Sequence, residues 1–489
     1  MKAVVIGSGF GGLATAIRLL ADGHQVTVVE GRSEPGGRAS HICDQGWRFD
    51  TGPSLITMPE LLDDLFETAG TSLARELTLR RLDPFYRIAW EGEERGLLFN
   101  GDRDAMTAQI AGFSPADAGR YDAFMAASRR IHEEAILAAG RRPFLHLGDF
   151  ASIVPKMVQL GALRSVDGFV GRFFREPHVR QAFAFHPLFI GGDPYRVPAV
   201  YAALAYLQVE GGVWYSDGGM WSLVEALARL IRSGGGEFRF GEPVTQIIRS
   251  QDRAVGVKTK SGDVIRADVV VSNADVAATH AELLGRDGSA PRLTMSCFLL
   301  YLGLRRTFPQ LRHHTLLVGR DYRGFIRDVT VARRMPSSLS LYVHAPSRTD
   351  PTMAPPGGES VSILLPVPNL GGGASWQEWE DRLRCGILDV LESPSGLGLT
   401  GLRDSIAVEH RWTPNTFRDE LRSPLGNAFG PEPVLLQSAY FRQPNRDRQL
   451  RGLYYAGAGT HPGAGVPGVL MGAAVTAGLI RRDAREGRL

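Results

Sequence analysis

The first thirty residues carry the pattern that most constrains the fold. An apolar run, AVVI, leads directly into the glycine-rich GSGFGG, and a helical pattern follows that stops at Gly23. In that pattern Leu13, Ile17 and Leu20 recur at helical spacing. A second apolar run, QVTVVE, then ends on the carboxylate of Glu30. Strand, glycine turn, helix and second strand in this order predict a βαβ unit of a parallel sheet.

The glycines within this unit have the spacing G-x-G-x-x-G, with Gly7, Gly9 and Gly12 at the three positions. The first glycine permits a tight turn, the second lets the backbone approach a pyrophosphate, and the third lets helix and strand pack closely. Glu30 follows Gly12 by 18 residues and can accept hydrogen bonds from ribose hydroxyls. A carboxylate there would repel a 2′-phosphate, which disfavours NADP. The motif therefore predicts a dinucleotide site and leaves NAD and FAD open.

Two further segments favour FAD. In EPGGRAS, Arg38 follows two glycines and can donate to the same diphosphate, although an exposed turn with a solvated arginine is the alternative. In GAGTHPGAGVPG, near the C-terminus, a second glycine-rich turn leads into a helix with Pro467 at its start. A helix N-terminus can stabilise the negative charge that a reduced flavin carries near N1 and O2. The alternative is that the same glycine-rich pattern forms only a tight packing turn. Together these segments predict one FAD held by both ends of the chain.

Composition limits the remaining possibilities. A chain of 489 residues predicts two or three domains. The net charge of +3 comes without a Lys/Arg block, which argues against a nucleic-acid partner. The three scattered cysteines argue against a disulfide framework or a zinc site and favour a reducing cytoplasm. No run approaches the ~18 apolar residues of a spanning helix, and we expect Met1 to lie close to the functional N-terminus.

Between the two glycine turns the patterns mix helices and strands. Residues 59–70, 117–140 and 221–236 have amphipathic helical patterns, and residues 85–101 predict a hairpin. Residues 237–274 predict a series of short strands that ends in the apolar run VVVSNA.

Several segments spread over the chain are similar to bacterial-type phytoene desaturases, carotenoid dehydrogenases of the flavin amine oxidase and GDI superfamily. They are DPFYRIAWE, VRQAFAFHPLFIGGDPY, GGVWYSDGGMWSLVEAL, VVSNAD, EPVLLQSAYFRQPNRDRQL and GLYYAGAGTHPGAGVPGVLMG. The resemblance implies an α/β fold: a Rossmann-type FAD-binding domain, discontinuous in sequence, a mixed α+β substrate domain and a helical membrane-associating part. We expect residues 1–75, 216–290 and 441–489 to form the FAD-binding domain, and residues 76–215 and 291–440 the substrate-binding and lid region.

The resemblance also implies where the cofactor lies. The adenosine end would meet the first glycine turn, Glu30 and the backbone of Val244, the diphosphate would meet Arg38, and the flavin end would meet the Asp-Thr-Gly turn and the C-terminal turn. The predicted FAD-binding residues are Gly7, Gly9, Phe10, Gly11, Gly12, Glu30, Gly31, Arg32, Gly37, Arg38, Thr51, Gly52, Val244, Asn273, Ala274, Gly459, Thr460, Pro467, Gly468 and Val469.

The implied reaction is FAD-dependent desaturation of phytoene towards neurosporene or lycopene, with a hydride passing to flavin N5 and a proton lost from the adjacent carbon. The apolar segments 183–190 and 201–207 can line a tunnel for such a polyene, with ordinary core as the alternative. Proton acceptors conceivable from the sequence are His186, Asp149 and His461, but each also fits a structural role, so no catalytic residue is assigned.

The substrate dissolves in the bilayer, so we expect a protein on the inner, cytoplasmic face of the cell membrane, with residues 155–165 and 332–338 as candidate contacts. A homo-oligomer on the membrane is a further open expectation. Other activities remain open too: a 3,4-desaturase, a hydroxyneurosporene-type or C30 diapophytoene desaturase, a non-catalytic GDI-like isoprenoid binder, or an amine oxidase. A GDI-like protein would not need the C-terminal flavin turn, and no cysteine lies near the C-terminus to tether a flavin as in some amine oxidases.

Overall fold

A computed structural model of the chain describes residues 1–286 and 291–489. The strands are β1 Lys2–Ile6, β2 Gln25–Val29, β3 His41–Asp44, β4 Trp47–Asp50, β5 Leu79–Arg81, β6 Tyr86–Trp90, β7 Leu97–Phe99, β8 Trp214–Ser216, β9 Glu237–Arg239, β10 Val244–Ser250, β11 Arg253–Thr259, β12 Val264–Arg266, β13 Val269–Ser272, β14 Ser296–Leu304, β15 His314–Val318, β16 Leu341–His344, β17 Glu359–Val367, β18 Ile406–Trp412 and β19 Leu453–Tyr455.

Seven of the α-helices, α4 to α10, follow one another between β7 and β8, and short 3₁₀ and π-helical turns lie among the helices. The helices are α1 Phe10–Ala21, α2 Glu60–Thr68, α3 Leu73–Glu76, α4 Arg103–Phe113, α5 Pro115–Ala118, α6 Tyr121–Ile131, α7 Leu147–Gln159, α8 Val166–Val170, α9 Pro177–Ala184, α10 Ala203–Gly211, α11 Gly219–Ser233, α12 Val276–Ala278, α13 Tyr322–Arg327, α14 Trp376–Glu392, α15 Leu402–Ser405, α16 Pro414–Asp419 and α17 Val466–Arg485.

The N-terminal βαβ unit forms the centre of a five-stranded parallel sheet with the order β19-β13-β1-β2-β9. β1 pairs in parallel with β2 on one side and β13 on the other, so its residues 3–6 are buried on both faces. α1 crosses between β1 and β2 and packs against α11 and α17. The left-handed Gly23, at a φ of +80°, follows the end of α1, as the sequence predicts.

A larger, mixed sheet of seven strands has the order β18-β14-β17-β16-β15-β6-β7. All its pairs are antiparallel except β6 with β15. β14 is buried over its whole length, and its residues alternate between two hydrophobic clusters, with Leu299 in one and Leu300 in the other. This sheet joins strands that lie between residues 86 and 412, which explains why no short segment of the sequence predicts it.

The local patterns are largely confirmed. The hairpin in residues 85–101 is β6–β7, residues 237–274 form β9 to β13, and the C-terminal run is β19, a turn and α17. Two predicted helices differ at their ends. The helix expected from Trp221 begins two residues earlier, and the one expected over 117–140 divides into α5, α6 and a π-helical turn at His132–Ala139.

The five strands of the parallel sheet come from the segments expected to form the FAD-binding domain, and those of the seven-stranded sheet come from the other two segments. The domain division itself stays a prediction, and its boundary at residue 290 lies outside the described residues. Among the residues described, no helix is both long and apolar enough to span a membrane.

Candidate active site

A cavity of about 900 Å³ extends from the carboxyl ends of β1 and β2 to the seven-stranded sheet. At one end its wall consists of glycine turns and charged groups, and at the other of aliphatic and aromatic side chains. The first end lies where the strand order of the parallel sheet reverses, between β1 and β13, which is where open α/β sheets bind ligands.

The first glycine turn has the geometry that its spacing predicts. Gly7 adopts a φ of +88°, which a residue with a side chain rarely does. A Cβ on Gly12 would collide with the carbonyl oxygen of Gly7, so the third glycine is needed for α1 to pack against the turn. Gly9 caps α1 without a side chain, which leaves the first N–H groups of the helix facing the cavity wall.

Glu30 lies at the end of β2, buried at the cavity wall. Its Oε2 accepts hydrogen bonds from the backbone N–H and the hydroxyl of Ser8, at 2.8 and 2.6 Å, and its Oε1 accepts from the N–H of Arg32 at 3.0 Å. An ionised carboxylate has about four acceptor positions, so one position on Oε1 is left for a ligand hydroxyl. The arrangement fixes the carboxylate and keeps it available to a ribose.

Arg38 is half-buried at the same wall, with its Nε atom fully buried. Its Nη2 donates to the hydroxyl of Ser423 at 2.8 Å, while its Nε has no partner among the described residues. Burial lowers the pKa of this guanidinium, and the charge of Asp275 opposes that shift only in part. A buried cation with an unused donor is costly unless an anion completes its surroundings.

The C-terminal turn lines the same cavity and begins beside the first glycine turn, where a Cβ on Gly11 would collide with the backbone of Gly457. Gly465, at a φ of +93°, precedes α17, and Pro467 occupies the first turn of that 20-residue helix. The helix N-terminus lines the cavity and contributes partial positive charge there. Next to this turn lies Arg442, which is buried and lines the cavity. Its Nη2 donates to the carbonyl of Pro431 at 3.0 Å, and its Nε and Nη1 have no partner among the described residues.

These unsatisfied groups test whether FAD fits. The buried donors of Arg38, Arg442 and the Thr51 hydroxyl lie at the cavity wall without partners in the described part of the chain. A dinucleotide with a diphosphate and a polar isoalloxazine edge supplies the acceptors that such donors require. The donor set, the two helix N-termini and Glu30 therefore fit FAD.

Most of the predicted cofactor residues lie on the cavity wall. Those that line it are Gly7, Gly9, Phe10, Gly11, Glu30, Gly31, Arg32, Gly37, Arg38, Thr51, Gly52, Val244, Asn273, Ala274, Pro467, Gly468 and Val469. Gly12, Gly459 and Thr460 lie behind the wall. Gly12 faces the first turn, Gly459 packs on Val276, and the Thr460 hydroxyl donates to the carbonyl of Gln443 at 2.6 Å.

The far end of the cavity is apolar. The residues of segments 183–190 and 201–207 that line it are Phe185, Leu188, Phe189, Ile190, Tyr201, Leu204 and Leu207. Phe183, Ala184, Ala202, Ala203 and Ala205 of those segments belong to the core instead, and Tyr206 is partly exposed. Seven residues of the two segments thus line the apolar end, and the rest of its wall comes from alternate residues of β14 and β17 together with β15 and β16. That this end is a tunnel for a polyene stays a prediction.

The three conceivable proton acceptors do not line this cavity. His186 is buried between Phe99 and Phe185, and burial lowers its pKa to about 3. Asp149 caps α7 by accepting from the N–H groups of Leu145 and His146. His461 is buried against Phe144, and burial lowers its pKa to about 4. Each has the structural role that the sequence left open for it.

Other residues at the cavity were not among those predicted from the sequence. Ser8 holds Glu30, Arg442 faces the cavity from beside the C-terminal turn, and Ser54 and Tyr342 place two hydroxyls in the apolar end. Of these, Ser8 and Ser54 lie within motifs, so their position could have suggested them. Arg442 and Tyr342 reach the site only through the tertiary fold.

Comparison with known proteins gives a consistent result. The family described as flavin containing amine oxidoreductase matches residues 10–480. The chain is 40% identical to a lycopene-forming phytoene desaturase from Pseudescherichia vulneris, which covers 99% of both chains. It is 39% identical to a neurosporene-forming phytoene desaturase from Rhodobacter capsulatus, which covers 98% of this chain and 94% of that protein. The crystal structure of an oxidoreductase from Methanosarcina mazei shares the fold, with a TM-score of 0.65, 18% identity, and coverage of 97% of this chain and 99% of that one.

Proposed function

Because the chain belongs to the bacterial phytoene desaturases of the flavin-containing amine oxidoreductase family, we propose that it desaturates phytoene to neurosporene or lycopene. The protein is an FAD-dependent oxidoreductase that acts on CH–CH groups of carotenoids. The names of its relatives state desaturation of phytoene, with lycopene formed in one case and neurosporene in the other.

One observation carries this proposal: the charged end and the apolar end belong to a single cavity. A polyene precursor has no polar group by which to be held, so its site must be long, apolar and continuous with the cofactor site. The wall formed by Leu299, Leu316 and Leu364 from the seven-stranded sheet has this character.

Different residues of the chain have different roles along the cavity. FAD, when bound, supplies a two-electron acceptor for a hydride. Arg38 and the N-terminus of α1 would hold its diphosphate, and Glu30 a ribose hydroxyl. Arg442 and the N-terminus of α17 would favour negative charge in the part of the cavity that they line. The aliphatic side chains exclude water and align the polyene.

The test is incubation of the FAD-loaded protein with phytoene in liposomes, followed by pigment analysis. Loss of phytoene with appearance of neurosporene or lycopene supports the proposal. If phytoene stays unchanged while lycopene, hydroxyneurosporene or diapophytoene is consumed, the activity is the corresponding alternative. The two relatives differ by one percentage point of identity, so the number of desaturations must come from this product analysis.

We also propose that the protein lies on the inner, cytoplasmic face of the cell membrane through a patch on α7 and the segment 435–441. Leu147, Ala151, Pro155 and Val158 recur on one exposed face of α7, with Leu147 57% and Val158 59% exposed. Phe441, 43% exposed, packs on Phe150 of the same helix, with 5.1 Å between ring centroids. The next residue, Arg442, lines the cavity, and this closeness of the patch to the cavity supports the patch as the side from which a bilayer-dissolved substrate would enter.

Vesicle co-sedimentation tests this membrane proposal. The double variant Leu147→Asp/Val158→Asp should lose binding to anionic liposomes and activity on liposomal phytoene, while keeping its FAD. The matched variant Val264→Asp, on a 49% exposed residue of β12, should keep both. Equal binding of both variants would contradict the proposal. A homo-oligomer on the membrane is proposed with it and is tested by cross-linking on and off vesicles.

A further inference from the structure

Three buried histidines lie side by side in the seven-stranded sheet. His313 precedes β15, His314 begins it, and His344 ends β16, directly opposite His314 in the antiparallel register. One ring nitrogen from each lies within 4.8 Å of the other two. The sequence did not predict this cluster, because His344 is distant in the chain from the other two.

A chain of hydrogen bonds joins this cluster to the apolar end of the cavity. The hydroxyls of Ser54 and Tyr342 lie 2.6 Å apart, and both residues line the cavity. The Tyr342 hydroxyl lies 2.7 Å from Nδ1 of His314. With Ser54 donating to Tyr342 and Tyr342 donating to Nδ1, the cavity wall is linked directly to a buried imidazole.

On its other side the cluster leads towards the surface. Nε2 of His344 lies 3.2 Å from Nε2 of His313, and Nδ1 of His313 lies 2.6 Å from the hydroxyl of Thr349, which is half-buried. Nε2 of His314 has no hydrogen-bond partner among the described residues, and one of the two ring nitrogens of His314 belongs to the 4.8 Å group. A proton on His314 would thus have a short onward path.

The cluster is uncharged at rest. Burial holds the pKa of His313 and of His314 well below the ordinary value and lowers that of His344 to about 3. Such imidazoles are weak bases, but the carbon skeleton left after hydride loss is a strong acid and needs only a weak base. A weakly basic imidazole also releases the proton readily after each step.

We propose that Tyr342 takes up the proton lost from the substrate in each desaturation step and relays its own hydroxyl proton to Nδ1 of His314. Once the hydride has gone to FAD, the C–H bond of the adjacent carbon breaks and its electron pair becomes the new C=C bond. That proton bonds to Oη of Tyr342 while the O–H proton moves to Nδ1, and His344, His313 and Thr349 conduct it outwards. This inference rests on the proposed desaturase function.

The neighbouring titratable groups have other roles or no access. Asp50 accepts hydrogen bonds from the N–H groups of Met220 and Trp221 and does not line the cavity. Tyr86 and Tyr215 pack on His314 and His313, but neither lines the cavity. A metal ion is a less favourable occupant of the cluster, because hydroxyls already use Nδ1 of His313 and His314 and a shared hydrogen joins two of the Nε2 atoms.

The test compares Tyr342→Phe and His314→Asn with Tyr86→Phe. Tyr86 is a buried tyrosine that takes no part in the hydrogen bonds between Ser54, Tyr342 and His314. Each FAD-loaded protein is mixed anaerobically with phytoene in liposomes, and flavin bleaching and product are followed. Tyr342→Phe and His314→Asn should slow product formation by on the order of 10²-fold, the contribution typical of a general base. Tyr86→Phe should react at the wild-type rate.

A second readout separates the relay from mere packing. Phytoene deuterated at the proton-losing carbons should show a clearly larger isotope effect in Tyr342→Phe than in the wild type, with FAD content and midpoint potential unchanged. Wild-type rates and isotope effects in both variants would overturn the relay, as would a metal found bound to the wild type and lost in His314→Asn. If the wild type itself fails to bleach with phytoene, the desaturase function falls, and the relay falls with it.

Discussion

The two ends of the cavity are built on different kinds of sheet. At the cofactor end, the parallel strands end at the same edge of the sheet. The turns that follow them line the cavity with backbone N–H groups and with side chains that lie close to those turns in sequence. At the substrate end, the cavity wall is the face of a mixed sheet, to which β14 contributes Cys297 and Leu299 in alternation, with Met295 just before the strand. A polar cofactor thus meets turns and a polyene meets strand faces, so substitutions at the two ends should have very different effects.

The largest effect is expected from Gly12→Val at the cofactor end. The new side chain would collide with the Gly7 carbonyl and crowd Asn273, so the turn must open and FAD binding should be lost. Flavin released per polypeptide measures this. The matched change Gly478→Val, in α17 where a Cβ meets open space, should keep its flavin. A flavin-saturated Gly12→Val protein with native circular dichroism would refute the claim that the turn geometry is what binds.

Arg38→Gln should weaken FAD binding without abolishing it. The substitution removes a buried charged donor, and hydrogen bonds to charged groups contribute about 1.5–3 kcal/mol, so the Kd should rise on the order of 10- to 100-fold. Fluorescence titration of the flavin-stripped protein measures the change. The exposed Arg48→Gln is the control and should leave the Kd unchanged. Equal affinities would place the diphosphate away from Arg38.

The difference between the two ends also explains how far the sequence predicts the site. A dinucleotide demands special backbone: a positive φ at Gly7, no Cβ at Gly12 and a carboxylate at the end of β2, and each demand selects a residue type at a fixed spacing. A polyene demands only apolar surface, which core residues such as Leu300 supply equally. The sequence therefore predicts most of the residues that line the glycine-rich end of the cavity, and it gives only approximate segments for the apolar end.

The seven-stranded sheet shows the same limit in its polar residues. Tyr342 and His314 are neighbours because β15 pairs with β16, a contact that no local pattern encodes. Arg442 reaches the cavity because the segment before β19 packs under the C-terminal turn. Such residues are found only when long-range strand pairing is known.

Asp50, which lies between the two ends, gives a smaller and pH-dependent effect. Burial raises the pKa of this carboxyl from 3.8 to about 7, although the N–H groups of Met220 and Trp221 oppose the shift. Between these values the native protein holds a proton that the unfolded chain has released, so its free energy of unfolding should fall as the pH rises. Asp50→Asn removes this loss, and its stability relative to the wild type should grow by about 1.4 kcal/mol per pH unit.

Urea unfolding of the FAD-saturated proteins across this pH range measures the Asp50 effect. The exposed Asp104→Asn should follow the wild-type pH dependence, since its side chain is 91% exposed in the native state. A constant difference between Asp50→Asn and the wild type would mean that Asp50 is ionised throughout. Asp50 would then carry a negative charge in the native protein, as the polar cofactor end permits, and burial would not keep it neutral.

The smallest effect is expected from Leu299→Ala at the substrate end. Leu299 lines the cavity and Leu300, next to it on β14, faces the opposite, packed side. Because the polyene makes many weak contacts, removing one should cost about 1 kcal/mol and raise KM about fivefold, with kcat and FAD affinity unchanged. Leu300→Ala should leave KM unchanged and lower the free energy of unfolding by about 2–5 kcal/mol. Steady-state kinetics and thermal unfolding of both variants separate the two faces. A loss of kcat in Leu299→Ala as large as that of Tyr342→Phe would mean that single contacts position the polyene, and the substrate end would then be as finely constrained as the cofactor end.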